Sequence, residues 1–205
     1  TLDTARWNAI SPGYIDALFD TYSDATGLIL DIRANNGGNE DLAARIASRF
    51  TDQTLVYGYV RNRLPGTGEP RYSEFIPKTL VPSGRFYDKP VVCLMGQRCL
   101  SSAEWFALML RQCPNAVLMG SATRGGTGNP KLVEMDNGVA YTLSTWIGYT
   151  SDKTVFEDVG VAPDIFAAWD PDSSSQRDPI LEQALTHILD QEHGVVSFES
   201  MHSLP

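Results

Sequence analysis

The apolar positions of the chain fall into two kinds of segment that alternate along it. Leu28-Ile29-Leu30, Val91-Val92-Cys93-Leu94-Met95 and Ala116-Val117-Leu118-Met119-Gly120 are short continuous apolar runs. Runs of that length predict strands buried on both faces of a parallel sheet. Between them, apolar residues recur at helical spacing. Tyr14, Ile15, Leu18, Phe19 and Tyr22 form one such series behind the start signal Ser11-Pro12-Gly13. Leu42, Ala43, Ile46, Ala47 and Phe50 form a second behind Asn39, and Ala107-Leu108-Met109-Leu110 opens a third. The last series is Ile180, Leu181, Ala184, Leu185, Ile188 and Leu189, with Asp178 as cap and Pro179 in the first turn. The alternation predicts an α/β domain with a partly parallel sheet. Its predicted core holds Leu28, Ile29, Leu30, Val91, Val92, Leu94, Val117, Leu118, Leu181, Leu185 and Ile188.

The remaining segments read as additions to that sheet. Thr54–Val60 predicts a strand, 62–70 a loop, and Arg71–Ile76 a segment that pairs back as a hairpin. Pro77, Pro82, Ser83 and Gly84 mark a further loop. Leu132–Met135 and Val139–Trp146 predict two strands joined at Asp136-Asn137-Gly138, where Asn-Gly is a strong hairpin signal. A polar linker covers Asp170–Gln176, and Gly194–Pro205 carries no clear signal.

Composition narrows the function classes. A chain of 205 residues is long enough for one domain with a real core. A net charge of −9 with no basic run excludes a nucleic-acid or anionic-membrane partner. No apolar stretch is long enough to span a bilayer. The abrupt start at Thr1 points to a processed or trimmed piece of something longer. Cys93, Cys99 and Cys113 make an odd count without metal-type spacing and read as small apolar fillers, with Cys99 as a thiol alternative beside Ser101.

The candidate chemistry sits at the ends of the predicted parallel strands. Cys99-Leu100-Ser101-Ser102-Ala103-Glu104 follows one apolar run and opens a helix. A serine at such a junction stands clear of the sheet, with the first amides of the helix aimed at whatever it attacks. The same residues also fit Ser-x-x-Glu, the capping box that merely closes a helix N-terminus. Asp31-Ile32-Arg33-Ala34-Asn35-Asn36-Gly37-Gly38-Asn39 is either a glycine turn that offers amide donors to a ligand or a plain strand-to-helix turn capped by Asn39. The loop Thr123–Pro130 is a third candidate wall. It lacks the lysine and spacing of a phosphate-binding loop.

Taken in order, three stretches resemble the tail-specific (C-terminal processing) protease family and its tricorn-core relatives. They are Leu28–Arg33 with Asn35 and Gly37-Gly38, then Ser101-Ser102-Ala103-Glu104, then Gly120, Thr123 and Gly125 continuing to Glu157, Gly160-Val161 and Pro163-Asp164. The resemblance covers Gly27 to Ile165. It implies a crotonase-like core domain with an added β-hairpin, one protease domain across residues 1–205, and a serine endopeptidase acting on extended polypeptides.

By that analogy Ser101 is the nucleophile. The oxyanion hole uses the Ser102 amide and one amide of Gly37-Gly38, Gly125 and Gly126 lie at the substrate, and Glu157 orients the network around the base. Two fixed donors beside a nucleophile are what a tetrahedral intermediate needs. No metal or organic cofactor is implied, and the setting implied is extracytoplasmic. The Ser-Lys branch places its base near Gly125 and Gly126, where neither residue takes a proton. Lys131 is the nearest lysine, after Pro130. The tricorn-like branch takes a histidine from a segment well before the core, whereas His187, His193 and His202 are all late. His187 reads as a solvated surface residue. A serine without a base is a poor nucleophile. Either the base lies upstream of Thr1, or the domain binds without cleaving, as do the retinoid-binding repeats that resemble these proteases. Acyl-CoA chemistry, also hosted by the crotonase-like fold, lacks any adenine- or pantetheine-binding signal here.

Overall fold

The computed structural model describes residues 12–66, 68–168 and 177–192. Ser11, the linker Asp170–Gln176, His193 and the tail from Gly194 lie outside the described residues.

Four parallel strands form the central sheet in the order β1-β5-β6-β10. They are β1 (Leu28–Asp31), β5 (Val91–Met95), β6 (Ala116–Gly120) and β10 (Ile165–Phe166). Every residue of β5 is buried, as its unbroken apolar run predicts. Its side chains alternate between two cores. Val91, Cys93 and Met95 face one, and Val92 and Leu94 the other. Leu28, Ile29 and Leu30 are only half-buried, because among the described residues β1 has a neighbour on one side alone.

Helix α3 (Ser102–Arg111) lies in the first core, where Ala103 through Leu110 are all buried. Helix α2 (Glu40–Ala47) packs beside it, capped as expected by Asn39, whose Oδ1 accepts the Asp41 amide at 2.9 Å. Helix α1 (Pro12–Thr21) contributes Ile15 and Phe19, the latter edge-on to Phe50 and Tyr87. Tyr14, Leu18 and Tyr22, predicted on the same face, are exposed.

Helix α4 (Pro179–Glu192) covers the opposite sheet face. Asp178 Oδ1 caps it, accepting the amides of Ile180 and Leu181 at 3.1 Å. Its contact stripe is narrow: Ile180, Ala184 and Ile188 are buried against Val92, Leu94 and Met119. Leu181, Leu185 and Leu189 lie about 100° round the helix from that stripe and are exposed, against expectation. Val117 is half-buried.

A second, antiparallel sheet closes the first core. Strand β2 (Leu55–Leu64) pairs with β3 (Arg71–Tyr72), β4 (Ile76–Leu80) and β9 (Trp146–Thr150). Three expectations are corrected here. Strand β2 runs on to Leu64 instead of yielding to a loop at Asn62, because Arg63 and Leu64 find partners in Tyr72 and Arg71. Pro77 lies inside β4, opposite Tyr59, and is tolerated because among the described residues β4 pairs only with β2 and leaves an open edge. The predicted strand Val139–Trp146 breaks at Ser144-Thr145 into β8 (Ala140–Leu143) and β9. Strand β8 pairs with β7 (Lys131–Glu134) in the hairpin that Asn137-Gly138 predicts.

Candidate active site

Ser101 is the N-cap of α3, with φ 59° and ψ −125°. An ordinary N-cap is extended. A positive φ at a serine costs about 1–3 kcal/mol and persists only where the surroundings impose it. Here they do. The Ser101 amide donates both to the Gly126 carbonyl at 3.1 Å and to Glu104 Oε2 at 3.0 Å.

Glu104 is the organiser that the capping-box pattern reveals only in part. It has no exposure. Its Oε2 also accepts the Gly126 amide at 2.9 Å, and its Oε1 accepts the Gly125 amide and the Thr123 hydroxyl, each at 2.6 Å. Four donors offset the cost of burying the carboxylate. The Glu104-to-Ser101 half of the box was legible from Ser-x-x-Glu. The other three donors lie 19 to 22 residues away in sequence, where no local pattern points to them. Gly125 and Gly126 therefore stand behind the serine with both amides committed to Glu104. Gly160 and Val161 brace the same loop. A Cβ on Gly160 would lie 2.1 Å from the Thr123 carbonyl oxygen, and the Val161 amide donates to Thr123 Oγ1 at 2.7 Å.

Gly37 and Gly38 approach the serine from the end of β1. Gly37 has φ 98°, and a Cβ there would lie 2.7 Å from both Ser101 Cβ and the Leu100 oxygen and 3.1 Å from the Ser102 nitrogen. Only glycine fits. The two amides have different fates. Gly37 N–H donates to Asn35 Oδ1 at 2.9 Å, whereas among the described residues the Gly38 and Ser102 amides donate to no protein group. The Gly38 carbonyl accepts the Ser102 hydroxyl at 2.7 Å, tying the turn to the helix start.

A pocket of about 300 Å³ opens beside Ser101, walled by Gly38, Glu40, Asp41, Trp105, Thr127 and Trp146 among others. Glu157 reaches it indirectly. Its Oε2 accepts the Thr127 amide at 3.1 Å, and its Oε1 accepts the Thr127 hydroxyl and, at 3.2 Å, the Gly148 amide. Glu157 is half-buried and faces inward, and Thr127 is the buried residue between it and the pocket.

Lys78 is a neighbour of the pocket that sequence reasoning missed, because its strand was read as a loop. Its Nζ lies 2.8 Å from Glu40 Oε1 and 4.8 and 5.0 Å from the ring centres of Trp105 and Trp146. The Nζ thus sits between a carboxylate and two indole faces. Tyr57 donates its hydroxyl to the same Glu40 oxygen, and burial first, then the Glu40 charge, pushes that phenol up.

The other candidates fall elsewhere. Lys131 is exposed at the foot of β7. His187 is half-buried on α4, across the parallel sheet from α3. Cys99 is buried, donates to the Ile32 carbonyl at 3.0 Å, and has its thiol pushed up to about 11 by burial, which removes it as a thiolate nucleophile. Among the described residues no group of His, Cys, Asp and Glu could hold a metal ion.

Comparison with known proteins adds a family to this geometry. The profile of peptidase family S41 matches residues 4–167. The carboxy-terminal processing protease CtpA of Bacillus subtilis is 29% identical over 145 residues, which are 70% of this chain and 29% of that protein. The carboxy-terminal-processing protease of Bartonella bacilliformis is 26% identical over 140 residues, 68% of this chain and 30% of that protein. Among solved structures, a candidate peptidase from Parabacteroides merdae superposes with a TM-score of 0.80 at 27% identity, covering 92% of this chain and 60% of that one. The chain thus spans under a third of the length of either bacterial protease.

Proposed function

The chain belongs to peptidase family S41, and on that premise we propose that it is the catalytic core of a serine endopeptidase that cleaves extended or unfolded polypeptides. The observation that carries the reading is Ser101 held at positive φ against Gly37, with two uncommitted amides beside it. Ser101 Oγ attacks the peptide carbonyl carbon and gives its proton to a general base. The carbonyl oxygen, now negative, rests on the Ser102 and Gly38 amides. Gly37 shapes that hole, its own amide being held by Asn35. The C–N bond then breaks, the amine leaves with the proton, and water releases the acyl group from Ser101.

The base is a histidine on a segment upstream of Thr1, in the manner of the tricorn-like branch. Among the described residues the pocket wall offers only the carboxylates of Glu40 and Asp41 as titratable groups, and Lys78 is committed to Glu40. Glu157 tunes the polar network around that base through Thr127. Gly125 and Gly126 serve the substrate site by presenting Thr127 at its wall. In this reading residues 1–205 are one crotonase-like core, no cofactor takes part, and the setting is extracytoplasmic. Among the described residues no helix is long and apolar enough to cross a membrane.

A fluorophosphonate serine probe tests this directly. The intact protein with its upstream residues should label, Ser101→Ala should not, and the 205-residue chain alone should label slowly or not at all. No labelling of the intact protein would leave a ligand-binding module on the same fold.

A further inference from the structure

Among the described residues the hairpin of β7 and β8 pairs with no other strand. Its register sets Lys131 against Leu143, Leu132 against Thr142, Val133 against Tyr141 and Glu134 against Ala140. Partners in an antiparallel ladder share a face. Lys131, Val133, Tyr141 and Leu143 therefore lie on one side, and Met135 and Val139 continue it toward the turn. Beyond Lys131 at its root that side is apolar, and among the described residues it is left open: Tyr141, Leu143, Met135 and Val139 are 42, 43, 49 and 52% exposed. A two-stranded hairpin is marginal in water by itself, so its fixed point is its root. There the Thr145 amide donates to the Gly128 carbonyl and the Thr145 hydroxyl to the Asn129 carbonyl, each at 2.8 Å.

The root is also the rim of the Ser101 pocket. Asn129 and Pro130 lead into β7, Trp146 follows β8, and all three line the pocket. We infer that the apolar side of this hairpin is a docking surface for the substrate polypeptide beyond the pocket, and that its occupant is an extended, unfolded segment with an apolar residue at every second position. A chain leaving the pocket along the hairpin passes Leu143, Tyr141 and Val139 in turn, a run of about 14 Å that takes about four extended residues. A substrate bound at Ser101 must cross the pocket rim, and the hairpin root forms part of that rim. The inference rests on the peptidase reading of the pocket.

The test is binding by the Ser101→Ala variant of the intact protein, read by fluorescence anisotropy and so independent of cleavage. The probes are two labelled unstructured peptides of about twenty residues, long enough at about 3.4 Å per residue to fill pocket and hairpin. One carries Leu, Val or Phe at alternate positions and the other Ser in their place. Adding Tyr141→Asp and Leu143→Asp should weaken the apolar peptide about tenfold or more. Leu132→Asp, on the opposite side, should leave it unchanged. Melting curves confirm that each variant is folded. Equal affinities for the two peptides, no effect of the pair, or no binding at all would overturn the inference. So would a fall in particle mass on substitution, which would assign the surface to a second copy. Fluorophosphonate labelling of the unsubstituted protein, with Ser101 intact, reads the pocket chemistry separately. Hairpin-dependent binding without any labelling would sink the peptidase reading alone.

Discussion

Two double-glycine loops meet at Ser101, and they do opposite things with their amides. Gly37-Gly38 leaves one amide free at the pocket, and Gly125-Gly126 commits both of its amides to the buried carboxylate of Glu104. In sequence the two are alike: each follows an apolar strand, and each reads as a turn that could offer backbone donors. The difference lies in what approaches from across the fold. The Gly125 loop meets a carboxylate, which takes every donor in reach because a buried negative charge left unpaired is far more costly than a buried dipole. The Gly37 turn meets the start of α3, which also brings donors, so amides converge on empty space. One loop holds the serine in place and the other, on the proposed mechanism, stabilises what the serine makes.

The strongest way to break this contrast is Glu104→Ala. It strands the Thr123 hydroxyl and the amides of Gly125 and Gly126, and leaves the Ser101 amide with the Gly126 carbonyl alone. The expected loss is about 4 kcal/mol of unfolding free energy, from several unsatisfied buried donors at about 1–3 kcal/mol each, partly relieved by water. Urea unfolding measures it. A loss below about 1 kcal/mol would mean that the loop holds its shape without the carboxylate.

Next in size is Gly37→Ala. The new Cβ would meet Ser101 Cβ and the Leu100 oxygen, both at 2.7 Å, on a backbone already at φ 98°. The expected cost is about 2–3 kcal/mol, with loss of fluorophosphonate labelling because Ser101 is displaced. Gly38→Ala sharpens the contrast within the turn: at φ 144° its Cβ would meet nothing within 4 Å. It should retain more stability and more labelling than Gly37→Ala. Equal damage from both would make the turn a generic strained backbone and not a shaped wall.

How much of this was legible follows from range. Strand β5 and helix α3 are written in their own residues, one as an unbroken apolar run and the other as a cap followed by apolar spacing. The Ser101 turn was visible because its signal, Ser-x-x-Glu, spans four residues. The division of labour between the loops was not, since Glu104 finds Thr123, Gly125 and Gly126 only after β6 is laid beside β5. Lys78 was hidden by Pro77, which marks a loop except on an open sheet edge. The exposed leucines of α4 were misplaced because spacing gives the width of an apolar face, whereas the partner surface decides how much of it is covered. Ile180, Ala184 and Ile188 are the helix residues buried against the sheet among those described.

The smallest effect concerns the tether of the Gly37 turn. Arg33, just after β1, donates from Nε to Asp31 Oδ1 at 2.9 Å and pairs through NH2 with Asp31 and Asp178, each at 2.6 Å. Asp178 in turn caps α4, so this ion pair joins the turn's entry to the helix on the far sheet face. The hydrogen bond from Arg33 is the largest influence on both carboxyls and holds each below the usual carboxylate range. A depressed carboxyl contributes stability that is complete above its unfolded value of about 3.9 and is lost as pH falls through the lower folded value. Stability should therefore be flat from pH 7 to about 5 and fall below about 4. Arg33→Gln should flatten part of that acid limb while costing no more than about 1 kcal/mol at neutral pH, because the pair is partly exposed and screened. Unfolding measured across that range in both proteins decides it. An unchanged acid limb in Arg33→Gln would mean that the Gly37 turn is held by its contacts with α3 alone. A neutral-pH loss as large as that of Glu104→Ala would mean that both loops are anchored by charge, and the contrast between them would fail.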